Sequence, residues 1–148
     1  MVSQKCQYAL RAIFELAKRK GQGAVRIADI AEAQAIPKRF LEVILGQLKQ
    51  GGFVASQRGS DGGYVLVRSA SELSVGDVIR FVQGPVGPVD CLIQDPTQKC
   101  PLYGDCVFLA MWQEVADAIA EVYDRTTFQE LVDKEARMHR GYVASYSI

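Results

Sequence analysis

The feature that most limits the folds open to this chain is a glycine-rich hexapeptide, Arg58-Gly59-Ser60-Asp61-Gly62-Gly63, between two strand-like runs. The runs are Phe53-Val54-Ala55-Ser56-Gln57 and Tyr64-Val65-Leu66-Val67. Glycine accepts backbone angles that tight reversals need, so the segment reads as a β-hairpin with a flexible, charged tip. Three helical segments precede it. From Gln7 to Lys20, Tyr8, Ala9, Ala12, Ile13, Leu16 and Ala17 recur at helical spacing, and Gly21-Gln22-Gly23 stops the run. Ile27 to Gln34 is a short second helix with Ile27, Ile30 and Ala31 on one face. Ala35-Ile36 is a tight connection, and Pro37 stands where a third helix starts, a position proline favours. Phe40, Leu41, Ile44, Leu45 and Leu48 form that helix's apolar stripe, and Gly51-Gly52 ends it.

Beyond the hairpin, Ser74 can cap a short helix from Val75 to Val82. Gly84-Pro85-Val86-Gly87-Pro88 marks a linker, and Cys91 to Cys106 reads as a loop rich in Asp, Pro, Gly and Lys. A long helix is predicted from about Val107 to Tyr123. Phe108, Leu109, Met111, Trp112, Val115, Ala116, Ile119, Val122 and Tyr123 make it apolar over more than one narrow face, so it needs two partners, of which one can be its own domain and the other a second subunit. Thr126 or Thr127 can cap a last helix, Glu130 completing a capping box with Thr127. The tail from Arg137 reads as frayed and polar. The fold class is therefore mostly α with a small β-hairpin wing. A winged helix-turn-helix occupies residues 1–83, a linker and cysteine-bearing sensor loop 84–106, and a dimerisation helix with a C-terminal helix 107–148.

Net charge is zero over 148 residues, but its distribution is uneven. Residues 1–70 hold eleven basic and five acidic side chains, and residues 71–148 hold six basic and twelve acidic. A basic half joined to an acidic half suggests that one half faces a polyanion. In a helix-turn-helix the second helix enters the major groove with its N-terminal residues at base edges. Here those residues include Lys38 and Arg39, which reach guanine edges or phosphates, and Glu42, which can accept from a cytosine amino group. The wing would carry Arg58 to the minor groove, with Gly59, Ser60 and Gly62 letting backbone approach the sugar-phosphate wall. The competing reading is an ordinary solvated helix face beside a turn, or a winged helix that binds protein. No apolar run suits a bilayer and no signal peptide stands at the N-terminus, so a cytoplasmic location with no membrane partner is expected. There is no Ser/His/Asp set, and the glycine-rich turn joins two strands instead of leading into a helix, so an enzyme is not expected.

Four cysteines are present, Cys6, Cys91, Cys100 and Cys106, the last three within sixteen residues. In a cytosolic chain such clustering points to metal binding or redox chemistry before structural disulfides. Without a C-x-x-C pair, structural zinc is a poorer fit than iron–sulfur ligation by soft thiolates.

Lys5-Cys6-Gln7-Tyr8-Ala9-Leu10-Arg11, Ile27-Ala28-Asp29-Ile30-Ala31, Phe40-Leu41-Glu42, and Arg58 through Tyr64 together resemble the winged-helix regulator family that includes IscR, NsrR, RirA and CymR. The resemblance runs on through Val75-Gly76-Asp77-Val78-Ile79 and the cysteine loop to Trp112. It implies a homodimer, built largely by the long helix, on a palindromic double-stranded DNA operator, and a repressor sensing iron, redox or nitric oxide state. It also implies that Cys91, Cys100 and Cys106 ligate an iron–sulfur cluster. The histidine that some members supply three residues after the last cysteine is Leu109 here. Other members take a fourth ligand from the partner's first helix, near Gln7; Cys6 of the partner subunit is the thiol nearest that place. An all-thiolate site would favour a 4Fe–4S cluster over 2Fe–2S. The alternatives are that Cys6 is a small buried side chain, that the thiols form reversible disulfides without a cluster, or that regulation runs through protein–protein contact.

Overall fold

The structure, a computed structural model, describes residues 1–92, 100–102 and 104–146, without the side chains of 140–146. Helix α1 spans Gln4–Lys18 and starts earlier than its apolar periodicity suggests, because the Ser3 hydroxyl accepts from the Cys6 N–H at 3.1 Å. Helices α2 (Ile27–Gln34) and α3 (Lys38–Gln50) follow, then strands β1 (Val54–Gln57) and β2 (Gly63–Leu66). The strands pair antiparallel with Val54 opposite Leu66, and Val25 bridges to Tyr64 on the far side of β2. Helix α4 (Val75–Gln83) carries the capping box that Ser74 promises, with Asp77 as its second member. After a 3₁₀ turn at Asp90–Leu92 come α5 (Leu109–Arg125) and α6 (Phe128–Tyr146).

α1 lies at the centre, with α2, α3, α4 and α6 all packed on it. Ile13, Leu16, Ile30, Leu41, Leu45, Leu48, Leu73 and Val78 form one continuous core, each such side chain contributing about 1.5–3 kcal/mol of burial. Phe128, at the start of α6, belongs to that same core and is 0% exposed. The Phe128 N–H donates to the Leu73 carbonyl at 3.1 Å, and Thr127 and Glu130 make the expected capping box. The C-terminal segment therefore helps to build the winged domain. The tail expected to fray from Arg137 is helical through Tyr146. Glu135, Ala136, Arg137 and Met138 are good helix formers with no proline among them, which offsets their polarity.

α2 ends in a tight reversal. The Ile36 N–H bonds to Ala31 O and the Ala35 N–H to Glu32 O, with Ala35 left-handed at φ 52°. Alanine pays roughly 1 kcal/mol for that conformation. Ala35→Gly is accordingly expected to raise the unfolding free energy by about 0.5–1 kcal/mol, read by thermal denaturation.

Candidate nucleic-acid interface and thiol loop

The turn at Ala35 throws α3 outward so that its first residues face solvent. Lys38, Arg39 and Glu42 are all exposed, and the cap at Pro37 makes no side-chain hydrogen bond. The Arg39 guanidinium lies over the Phe40 ring at 4.9 Å, which steadies it without neutralising it. The wing tip is fastened to α2, the helix that precedes α3. The Arg26 guanidinium, at the start of α2, donates to the Ser60 carbonyl at 2.6 Å. Gly63 lies against the Val25 backbone with no room for a Cβ, so β2 can be flanked by the Val25 bridge only with glycine there. Arg58, Gly59 and Ser60 are exposed at the tip; Gly62 is half-buried, its N–H donating to the Gly59 carbonyl at 3.0 Å. Among the described residues Lys38, Arg39 and Arg58 form no ion pair. The fold thus leaves exposed cations without ion-pair partners at two places, Lys38 and Arg39 at the α3 start and Arg58 at the wing tip.

Behind this face lies a buried polar cluster that periodicity did not reveal. Glu15 of α1 is 2% exposed. Its carboxylate accepts from Gln34 Nε2 at 2.8 Å and from Arg19 Nε at 2.7 Å, with Lys18 Nζ at 3.7 Å. Burial pushes this carboxyl up, but the Gln34 and Arg19 hydrogen bonds and the charges of Lys18 and Arg19 outweigh it and hold it below its ordinary 4.5. Lys18 also meets Glu135 of α6 at 2.7 Å, and that hydrogen bond holds its ammonium above the usual lysine range. The signal in the sequence was a charge at position 15 between the apolar Ile13 and Leu16. Because the folded carboxyl titrates below the unfolded one, its stabilisation is complete above about pH 4.5 and is lost as pH falls through the lowered value. Glu15→Gln is expected to flatten the acid limb of a stability–pH curve measured by denaturant titration. An unchanged slope below pH 4.5 would remove Glu15 from this role.

The cysteines fall into two groups. Cys6 is 0% exposed within α1, and burial alone pushes its thiol above the ordinary value. Seen in one chain, that is the geometry of a small packed side chain. Cys91, Cys100 and Cys106 are half-buried, free and all on the connection from α4 to α5. Leu109 opens α5, and His139 is exposed near the end of α6. Among the described residues no three His, Cys, Asp or Glu side chains gather closely enough to hold a metal ion.

A helix-turn-helix with its leading cations exposed, followed by a hairpin wing and a long C-terminal helix, defines the winged helix-turn-helix class. The chain belongs to the Rrf2 family of iron-dependent transcriptional regulators, whose family model matches residues 2–134. It is 33% identical over 145 residues to the HTH-type transcriptional regulator CymR of Bacillus subtilis (strain 168), covering 96% of this chain and 99% of that one. It is 35% identical over 135 residues to the HTH-type transcriptional regulator IscR of Pectobacterium carotovorum subsp. carotovorum (strain PC1), covering 90% and 80% of the two. The fold matches the solved structure of CymR, the global cysteine regulator of B. subtilis, with TM-score 0.74 and 32% identity over 90% of this chain and 97% of that chain. It matches T. potens IscR with TM-score 0.75 and 31% identity, over 91% and 88%. These relatives are regulators of transcription, and this chain is a regulator and not an enzyme. No helix among the described residues is long and apolar enough to cross a membrane.

The family's description brings in iron. The chemistry of the loop suits it, since three free thiols on one connection are soft donors of the kind iron–sulfur clusters take. Among the described residues these thiols do not close around one point.

Proposed function

We propose that the chain is a cytoplasmic, homodimeric repressor that reads a palindromic operator with α3 and the wing and senses iron, redox or nitric oxide state through thiols of the α4–α5 connection. The observation that carries the DNA reading is the pair of unneutralised cation sets. Lys38 and Arg39 address guanine edges or phosphates, Glu42 a cytosine amino group and Arg58 the minor groove, while Gly59, Ser60 and Gly62 bring the wing backbone to the sugar-phosphate wall. Support for the dimer comes from α5. Leu109, Met111 and Val122 are exposed along it and Phe108 at its N-cap, and Ala116 is its one buried residue. An apolar face left in water at this length suits a second copy of itself.

Cys91, Cys100 and Cys106 would hold the cluster, which when bound supplies a group that responds to iron, oxygen or nitric oxide. Cys6 is buried in its own helix and would reach a partner's cluster only if the start of α1 opened. The residues of this chain then do the rest. Arg80 of α4 donates to both oxygens of Asp124 of α5, at 2.5 and 2.9 Å, so the two helices that flank the thiol connection are already tied to each other. A second reading, reversible thiol oxidation without a cluster, draws support from the likeness to Staphylococcus aureus CymR, whose oxidised form has been solved and matches with TM-score 0.68 and 33% identity.

Two measurements test this. Affinity for the chain's own promoter duplex is expected to fall with salt by about 0.9 log units per log unit for each phosphate contact. Arg39→Ala and Arg58→Ala are each expected to weaken it about 5–100-fold. Unchanged affinity in both variants refutes the readout. Anaerobically purified protein is expected to carry iron and acid-labile sulfide, with 4Fe–4S stoichiometry the favoured outcome, and to lose both in Cys100→Ala. Iron-free protein whose loop thiols convert to disulfides under oxidant would establish the second reading instead.

A further inference from the structure

The cluster around Glu15 does more than fill the space between two helices. One of its partners belongs to the turn that launches α3. Gln34, the last residue of α2, donates its side-chain amide to Glu15 at 2.8 Å. The Arg11 guanidinium, one turn earlier on α1, donates to the Gln34 carbonyl and, at 3.2 Å, to the Ala35 carbonyl. Those are the last carbonyls of α2, which a helix leaves without internal partners. The left-handed Ala35 between them sets the direction in which the chain leaves α2, and α3 begins three residues later. On its other side the same carboxylate meets Lys18, which meets Glu135 of α6.

We propose that Glu15 is a positioning residue for base readout: it and Arg11 hold the Gln34–Ala35 turn against α1, and so set the angle at which Lys38, Arg39 and Glu42 meet the groove. Lys18 extends the hold to Glu135, giving the C-terminal helix a polar connection to the recognition helix. Base-edge hydrogen bonds tolerate little misalignment, whereas phosphate contacts by flexible cations tolerate a good deal. Loosening the turn therefore costs sequence-specific affinity and spares non-specific affinity. This rests on the DNA-binding reading above.

The test uses a duplex selected by the wild-type full-length chain from a random-sequence library, and a shuffled duplex of the same composition. Glu15→Gln and Gln34→Leu are each expected to weaken binding to the selected duplex about tenfold while changing binding to the shuffled one by less than about twofold. Combined, they are expected to cost little more than Gln34→Leu alone, since Glu15→Gln weakens the same hydrogen bond that Gln34→Leu removes. Lys18→Met is expected to give a smaller loss in the same direction, and Lys18→Arg to restore wild-type discrimination. Gln34 is half-buried at the surface, so Gln34→Leu keeps the test available even where Glu15→Gln compromises folding. Amide exchange at Ile36, whose N–H closes the turn on Ala31, is expected to quicken in both. Equal losses on the two duplexes, or none on either, overturn the inference and leave the DNA-binding reading standing. A wild-type chain that selects no duplex at all defeats that reading, and the inference with it.

Discussion

Phe128→Ala is expected to lower the unfolding free energy by about 3–5 kcal/mol, the range for deleting a fully buried aromatic ring. The ring is 0% exposed and packs in the core whose other members come from α1–α4 and the hairpin. Its backbone is held as well, since Phe128 N–H bonds to Leu73 O and Gln129 N–H to Ala70 O. The surrounding residues are fixed by several helices and cannot easily collapse into the void, which places the cost in the upper part of the range. Equilibrium urea denaturation measures it. A loss below about 1 kcal/mol would mean that the Phe128 ring does not anchor α6 to the core.

The second large effect is expected at Gly63. A side chain there would press on the Val25 backbone, which cannot move aside as a flexible side chain can. Gly63→Val must also place a β-branched residue at φ 153°, a conformation that L side chains rarely adopt. Strain and overpacking together are expected to cost about 3 kcal/mol or more. The Val25–Tyr64 bridge would break first, because both of its hydrogen bonds, at 2.8 and 2.9 Å, run beside that position. Circular dichroism and denaturation would report a destabilised chain, and operator affinity would drop with the wing displaced. Retention of wild-type stability would show that the strand can shift away from Val25 at little cost.

Much of the fold was legible in the residues. α2 and the cap at Ser74 lie where composition put them, and the Thr127–Glu130 box is present. These are local devices, in which a short polar side chain meets a backbone amide two or three residues on. Helix ends were less legible. α1 starts at Gln4 because Ser3 caps it, although the apolar stripe begins only at Tyr8. The tail past Arg137 stays helical, because polarity on its own does not unwind a segment of good helix formers.

By itself, the sequence determined the order of elements, the glycine-rich wing, the cations that start α3, and the three thiols between α4 and α5. Each follows from short-range spacing, turn chemistry or resemblance. Only the tertiary structure decided that Phe128 closes the N-terminal core, that Cys6 is sealed within α1, and that Arg26 fastens the wing tip. It also showed that a buried carboxylate at Glu15 gathers Gln34, Arg19 and Lys18. These are contacts between residues far apart in the chain or across the packed faces of different helices. Helical periodicity says which face is buried but not what it meets there, because the partner is chosen by how the helices cross.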